Sequence, residues 1–450
     1  MNRREFIRGA AVGAAGSVLG GCATSPAPSS SLLPPPSSTY DVAVMGGGPA
    51  GVCAAIAAAR NGAKTLVVER GNCLGGMATR GLVGPFMTCY DKSGRNQVIR
   101  GLFEEIVERM VAKGGAIHPK DCRAGTAFTS WIKIGHDHCT PFEPECLKLV
   151  LDEMTAEAGV TVLFHADFVE PLMDGQTITG VRLFTKGGFR DVAAKIVIDA
   201  TGDGRLARDI RMPQYAYENF QPNSACFNML GNADGVDLRK LISEHGREFG
   251  LEDDWGWSTF VAGCKNLSMR ADNHVFHARC DRAEDLTRAE IEGRRQADAF
   301  VSLLNAYGGK EERFALAGLC AHIGIRETVH YETRFRAAMM PLLTGCRYDD
   351  PILNGTYRVD IHHAEDMGIT FRDLDGTETT IYGKGTRVVR GNWREAAGLT
   401  GDYAKYYQVP FEILVGEQAE NLIAAGRMLN ADENAFGALR VMVNLNQLGE

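Results

Sequence analysis

The chain has 450 residues, 48 Lys+Arg against 56 Asp+Glu, and a formal net charge of −8. A hydrophobic content of 45% and a charged content of 23% are ordinary for a globular protein, and the length suits two or three domains or one large domain with an insertion. The acidic balance, with no basic stripe to offset it, argues against a nucleic-acid binder, and no run reaches the roughly 18 apolar residues of a membrane span. The 12 cysteines include no CxxC pair, which disfavours zinc ribbons, iron–sulfur clusters and thioredoxin-type redox sites.

Residues 1–21 read as an export signal. Arg3, Arg4 and Arg8 form a basic head before a weakly apolar stretch from Ala10 to Leu19, and Asn2-Arg3-Arg4-Glu5-Phe6-Ile7-Arg8 resembles a twin-arginine signal. Leu19-Gly20-Gly21-Cys22 resembles a lipoprotein lipobox, in which Cys22 is acylated and becomes the new N-terminus. Each buried CH₂ of an acyl chain contributes about 0.8 kcal/mol, so two or more chains anchor stably. Residues 22–39 are Pro/Ser-rich and read as an extended tether. A twin-arginine protein crosses the membrane already folded, which permits a cofactor to be loaded beforehand.

Asp41-Val42-Ala43-Val44-Met45 predicts a buried strand, and Gly46-Gly47-Gly48-Pro49-Ala50-Gly51 follows at once as GxGxxG. With 52 glycines in the chain the pattern alone carries little; its position between a strand and an Ala-rich helix to Arg60 carries the weight. Gly46 permits the tight turn, Gly48 lets a pyrophosphate approach the backbone, and Gly51 lets helix and strand pack closely. Pro49 suits the first helical turn, and the helix N-terminus, with Ala50, offers free N–H groups to the phosphates. A second strand, Thr65–Val68, ends in Glu69, placed to accept hydrogen bonds from the adenosine ribose. Arg70 follows, then Gly75-Gly76-Met77, whose bare backbone suits a diphosphate or ribityl chain. A further strand ends in Ala200-Thr201-Gly202-Asp203, and Gly426-Arg427 and Gly437 through Arg440-Val441 form a last return. Three such returns suit one long dinucleotide, FAD, better than NAD.

Taken in order, these segments, with Phe142-Glu143-Pro144-Glu145, Ile323–Thr328 and Val359–His362, resemble the FAD-dependent oxidoreductases of the glutathione-reductase-like fold, in the branch that carries the loose label xanthan lyase. The resemblance runs from about residue 40 to the end. It implies an α/β fold: a three-layer, FAD-binding Rossmann domain with a parallel sheet and an inserted α+β substrate domain. On that reading residues 40–205 are the first part of the FAD domain, 206–400 the substrate or cap region, and 401–450 the return. It also implies non-covalent FAD, with adenine at the first βαβ unit near Phe168 and isoalloxazine towards the C-terminal block. The family usually continues after Arg440-Val441-Met442 into a helix that meets the flavin pyrimidine edge, and the expectation here is that this helix is absent.

In the middle of the chain, Pro144–Glu157 predicts a helix, Val160–Phe164 a strand, Thr177–Phe184 and Phe189–Ile198 a strand pair, and Leu286–Tyr307 a long helix with a solvated face. His136-Asp137-His138-Cys139 has metal-ligand residue types but no further ligand set, so it reads as a polar loop and no metal is expected. His274 and His277 read as surface or strand residues. Three residues are candidates for the chemistry: His362 as acid/base, with His322 and Arg326 in a block resembling the flavin-facing region, where Arg326-Glu327 also reads as a bracing pair. Arg440 reads as a flavin-side or substrate-anion contact. Cys89, Cys122 and Cys139 carry no nucleophile signature, and no second cysteine follows Cys73 at disulfide-reductase spacing.

The expected function is that of an exported, membrane-tethered dehydrogenase that passes a hydride from a small polar organic molecule to FAD, with a membrane or periplasmic acceptor completing the cycle. Two alternatives stand beside it. One is a flavoprotein reductase of an unsaturated acceptor; the other is a flavin-carrying electron-transfer subunit, disfavoured by the absence of clustered cysteines.

Overall fold

The computed structural model describes residues 39–450 except 253–255, 265, 366 and 384–386. The signal, Cys22 and most of the tether lie outside the described residues, and no described helix is long and apolar enough to cross a membrane.

A seven-stranded sheet organises the chain. Strands β1 (Thr39–Met45), β2 (Thr65–Glu69) and β3 (Thr161–Phe164) run parallel in the order β3-β2-β1, and the last strand, Leu422–Ala424, joins them through β6 (Gly188–Asp199). The second half of β6, from Ala193 to Asp199, belongs to this parallel part. Its first half pairs antiparallel with β5 (Thr177–Thr185), which pairs with β4 (Asp167–Asp174), so one strand serves two arrangements. Side chains alternate between faces: Val42, Val44, Val67 and Ile198 enter one core, and Ala43, Met45, Leu66, Val68 and Val197 the other. Burial on both faces explains why β1 and β2 read as nearly unbroken apolar runs.

Helices Pro49–Arg60, Gly101–Ala112 and Pro144–Ala158 cover the first face. The side chain of Glu143 caps the last of these by accepting from the backbone of Glu145 and Cys146. Between β6 and the return lie two four-stranded antiparallel sheets, one holding Phe227–Leu230 and Leu267–Ala271, the other Val359–His362 and Ile369–Arg372. The long helix runs from Ala283, one turn earlier than the sequence suggested, to Tyr307.

The expected absence of a C-terminal helix is corrected: residues Met442–Gly449 form one. Val443, Leu445 and Leu448 are buried, and Gly449 lies so close to the carbonyl of Ala50 that an added Cβ would fall 2.0 Å from it. This apolar stripe seats the segment beside the first helix of the phosphate loop and supplies the stabilisation its eight residues lack alone.

His330 ties the middle of the chain to the return. Its Nδ1–H donates to the Leu429 carbonyl at 2.8 Å, and its ring lies among Tyr215, Tyr217 and Phe436. Burial pulls its pKa down to about 4. Because the folded-state value lies below the unfolded one, near 6.5, stability present above pH 6.5 is lost as pH falls towards 4, by about 3 kcal/mol. Urea unfolding at pH 7 and pH 4.5 should therefore show a smaller loss for His330→Phe than for the unaltered chain; an equal loss in both would disprove this account.

Candidate active site

The sheet register places the glycine-rich turns side by side. Met45 lies opposite Val68 on one side and Asp199 on the other, and Asp199 also faces Ala424, so Gly46, Glu69, Ala200 and Ala425 leave the sheet from one edge. All four line a single cleft of about 1540 Å³, its open mouth included. Gly46 has φ +102°, and a Cβ on it would meet the Ala200 carbonyl at 2.3 Å, so only glycine makes this turn. Gly76 comes from the second glycine-rich segment, and a Cβ there would lie 2.9 Å from Cα of Gly48. A Cβ on Gly48, by contrast, meets nothing within 4 Å and points into open space. The helix Pro49–Arg60 begins here with no side-chain cap, which leaves its first N–H groups free for an anion.

Of the expected cofactor residues, Gly46, Gly48, Pro49, Ala50, Glu69, Arg70, Gly76, Met77, Ala200, Thr201, Gly202, Asp203, Gly426, Arg427, Arg440 and Val441 line this cleft. Phe168 instead walls a smaller adjoining pocket with Val68, Glu69 and Arg205, the end expected to take adenine. Three glycines act one layer back and do not line the cleft. Gly51 packs helix on strand against the Gly46 carbonyl, and Gly75 donates its N–H to Gly47 at 2.8 Å. Gly437 lets its helix approach Asp360 and Ile361, where a Cβ would come within 2.6 Å of the Ile361 side chain.

Glu69 is held in place: its carboxylate accepts from the N–H of Gly47 at 2.9 Å and of Gly71 at 2.6 Å, with Arg80 at 3.5 Å. Asp199 is fully buried and accepts from Thr201 and from the N–H groups of Leu206 and Ala207, which fixes the turn carrying Gly202 and Asp203. Asp203 pairs with Arg427, joining two glycine-rich returns across the sheet.

The same cleft gathers the candidate chemistry, for His322, Arg326 and His362 also line it. His322 donates Nδ1–H to the Ile323 carbonyl at 2.9 Å, so its Nε2 is the acceptor for Arg70 at 2.9 Å. Burial, aided by Arg70, holds its pKa below the usual range. Both ring nitrogens are engaged, which makes His322 a positioning residue for Arg70. The bracing Arg326–Glu327 pair does not form. Arg326 bonds the Pro222 carbonyl and Ser224 Oγ, whereas Glu327 accepts from Gln221 at 2.6 and 3.0 Å, because neighbours in an extended segment point to opposite sides.

His362 is buried beside His274, with ring centroids 5.2 Å apart, and its Nε2 lies 3.7 Å from Asp360 Oδ1. Burial, then the charge of Arg326, drives its pKa well below the ordinary value, so the imidazole is neutral. Asp360 also takes the Tyr357 hydroxyl on Oδ2 at 2.6 Å and has Arg440 at 3.6 Å. Arg440 Nη2 further bonds Gln221 Oε1 and the Asp360 carbonyl.

Sequence reasoning missed His274, Asp360 and Tyr357. His274, expected at the surface or in a strand, is only 8% exposed and lies beside Arg326 and His362. Asp360 and His362 are two apart on one strand, so the period-2 rule put both on one face. His136 is buried in an aromatic cluster with Trp131, Tyr357 and Phe371, and no group of three or more metal-ligating side chains occurs among the described residues. Cys89, Cys122 and Cys139 are buried, and burial raises the pKa of each thiol, the opposite of nucleophile activation.

A cleft with a glycine cradle, an uncapped helix N-terminus and a carboxylate at the end of the second strand is that of a dinucleotide-binding Rossmann-like protein. The family model described as FAD dependent oxidoreductase matches residues 41–450, and the chain belongs to that family: it is an FAD-dependent enzyme. No curated protein matches it. Among solved structures it is similar to p-nitrophenol 4-monooxygenase PnpA from Pseudomonas putida DLL-E4 (14% identity, 67% of this chain and 70% of that one, TM-score 0.41). It is also similar to L-proline dehydrogenase from P. horikoshii (10%, 92% and 92%, 0.43) and to a geranylgeranyl bacteriochlorophyll reductase-like protein from Thermoplasma acidophilum (19%, 65% and 66%, 0.37).

Gly48→Val tests the cradle. Its side chain enters open space, so the circular-dichroism spectrum should be unchanged while FAD affinity, read from flavin absorbance after dialysis, falls at least 100-fold. Retained yellow protein would show that the phosphates bind elsewhere.

Proposed function

We propose that this protein is a dehydrogenase, in which a small polar organic molecule would lose a hydride to bound FAD and a proton to the protein. The observation that carries this reading is one cleft lined both by glycine-rich turns suited to FAD and by a neutral histidine beside a carboxylate. Gly46, Gly48, Gly76, Gly202 and Gly426 would hold FAD by backbone, with Arg70 and the Asp203–Arg427 pair at its flanks. Bound FAD supplies a two-electron acceptor. The arrangement of a parallel sheet beside the antiparallel β4-β5-β6 unit supports the glutathione-reductase-like assignment, with the region between β6 and the return as substrate domain.

The chain's own chemistry is proton handling and positioning. As the substrate C–H bond breaks with its electron pair, the O–H bond breaks too, and the proton passes to His362 Nε2. Asp360, at 3.7 Å, stabilises the imidazolium as it forms. The reductase of an unsaturated acceptor runs the same residues in reverse.

His362→Asn should slow anaerobic bleaching of the flavin by a reducing substrate about 100-fold or more while leaving the flavin spectrum intact. Unchanged rates would remove His362 from the mechanism.

We also infer export by the twin-arginine route and lipid attachment at Cys22, from the sequence of the first 22 residues. In detergent phase partitioning the mature protein should enter the detergent phase and Cys22→Ala the aqueous phase; identical partitioning would refute the anchor.

A further inference from the structure

Two side chains that line the cleft keep polar atoms open to it. Arg440 spends Nη2 on Gln221 Oε1 at 3.3 Å and on the Asp360 carbonyl at 3.2 Å, and its Nε is buried without a partner. Its Nη1 also has no partner among the described residues but, unlike Nε, is not shut off from the cleft. His362 lines the same cleft, and neither of its ring nitrogens makes a hydrogen bond or is buried out of reach. Gln221 sets both groups, because its Oε1 accepts from the His362 backbone N–H at 3.1 Å as well as from Arg440. Gln221 is itself fixed, for its Nε2 donates to Glu327 Oε2 at 3.0 Å and its backbone N–H to Glu327 Oε1 at 2.6 Å.

The charge around these atoms favours an anion. Glu327 gives both oxygens to Gln221, and Asp360 stands on the Nη2 side of Arg440, 3.6 Å away, with its other oxygen taken by Tyr357. Nη1 therefore has no carboxylate of the protein upon it. At His362, burial and then the charges of Arg326 and Arg440 hold the imidazole neutral, so the field there is positive in spite of Asp360. An anion seated on Arg440 offsets that field and makes the imidazolium easier to form. Reach places the hydroxyl. Arg440 Nη2 and His362 Nε2 lie 3.6 and 3.7 Å from the same Asp360 Oδ1. A carboxylate oxygen and a hydroxyl on carbon 2 or 3 are roughly 2.7–4 Å apart, and with a hydrogen bond of about 2.8 Å at each end such a molecule spans about 8–9.5 Å. Arg440 and His362 are close enough for it to bridge them.

We propose that Arg440 Nη1 anchors the substrate subsite and that the substrate is a small hydroxycarboxylate, its carboxylate on Arg440 and its hydroxyl, on carbon 2 or 3, donating to His362. Gln221 is the positioning residue for both. Oxidation of that hydroxyl, with the C–H electron pair going to bound FAD and the O–H proton to His362, leaves the matching oxo acid. Turnover of such a molecule rests on the dehydrogenase reading; its binding does not.

The test uses the full-length flavoprotein, with short 2- and 3-hydroxycarboxylates set against the corresponding amides, and reads binding by calorimetry and by the shift of flavin absorbance. At least one hydroxycarboxylate is expected to bind at least tenfold more tightly than its amide. Arg440→Gln should cut that preference to twofold or less with flavin retained, and Arg440→Lys, which keeps the charge, should hold at least threefold. Binding of no member of the panel, amides that bind as well as the acids, or an undiminished preference in Arg440→Gln would each overturn the proposal. Loss of flavin from Arg440→Gln at an unchanged circular-dichroism spectrum would overturn it too, by giving the guanidinium to the cofactor. If that variant does not fold, the preference in the unaltered protein and in Arg440→Lys decides. A hydroxycarboxylate that binds with this preference yet never bleaches the flavin under anaerobic conditions leaves the subsite standing and removes the dehydrogenase reading. Bleaching by neutral alcohols with no preference for acids does the reverse.

Discussion

One row of the sheet carries the rest of the structure. Leu163, Val68, Met45, Asp199 and Ala424 stand abreast, each in register with its neighbour, and the chain leaves the sheet immediately after most of them to build the cleft. Because side chains alternate along a strand, a slip of one residue in any pair would exchange the two cores and move a turn by more than 3 Å. The double-sided burial of Ala43, Val44, Val67 and Val197 opposes such a slip. The placement of the glycine-rich turns is thus a by-product of core packing.

Electrostatics then divides the cleft into two kinds of surface. On the cofactor wall the charges are neutralised within the protein: Glu69 by backbone N–H groups, Asp199 by a turn and a short helix, Asp203 by Arg427. Around His362 the arrangement differs: the imidazole is held neutral, and Asp360 Oδ1 lies 3.6 Å from Arg440 and 3.7 Å from His362 without a hydrogen bond.

The legibility of these two surfaces in the sequence differs for physical reasons. Gly46, Gly48 and Glu69 could be read because backbone geometry, not partners far along the chain, dictates them. The strand pair β5–β6 and the helix Pro144–Ala158 were equally plain, from alternation and from 3.6-residue spacing. Trp131 gave no such signal: it lies in a short 3₁₀ segment, Ser130–Ile134, and reaches Trp257 only because Thr129 pairs with Thr259 across more than a hundred residues. Arg326 and Glu327 looked like a pair because adjacent opposite charges suggest one, and extended backbone separates them. The C-terminal helix was missed because its eight residues are too few to be helical unaided, and its docking surface beside Ala50 belongs to the other end of the chain.

The dual membership of β6 sets an order of assembly. Its first half needs only β5, its hairpin partner, whereas its end waits for Leu422–Ala424, more than two hundred residues downstream. Pairings so remote in sequence form late, after local ones. During synthesis the meander and β1 can therefore come together early, while the edge that receives Gly426 and Arg427 stays open until Leu422–Ala424 has emerged. The cleft is therefore closed by a segment remote in sequence from the turns that begin it.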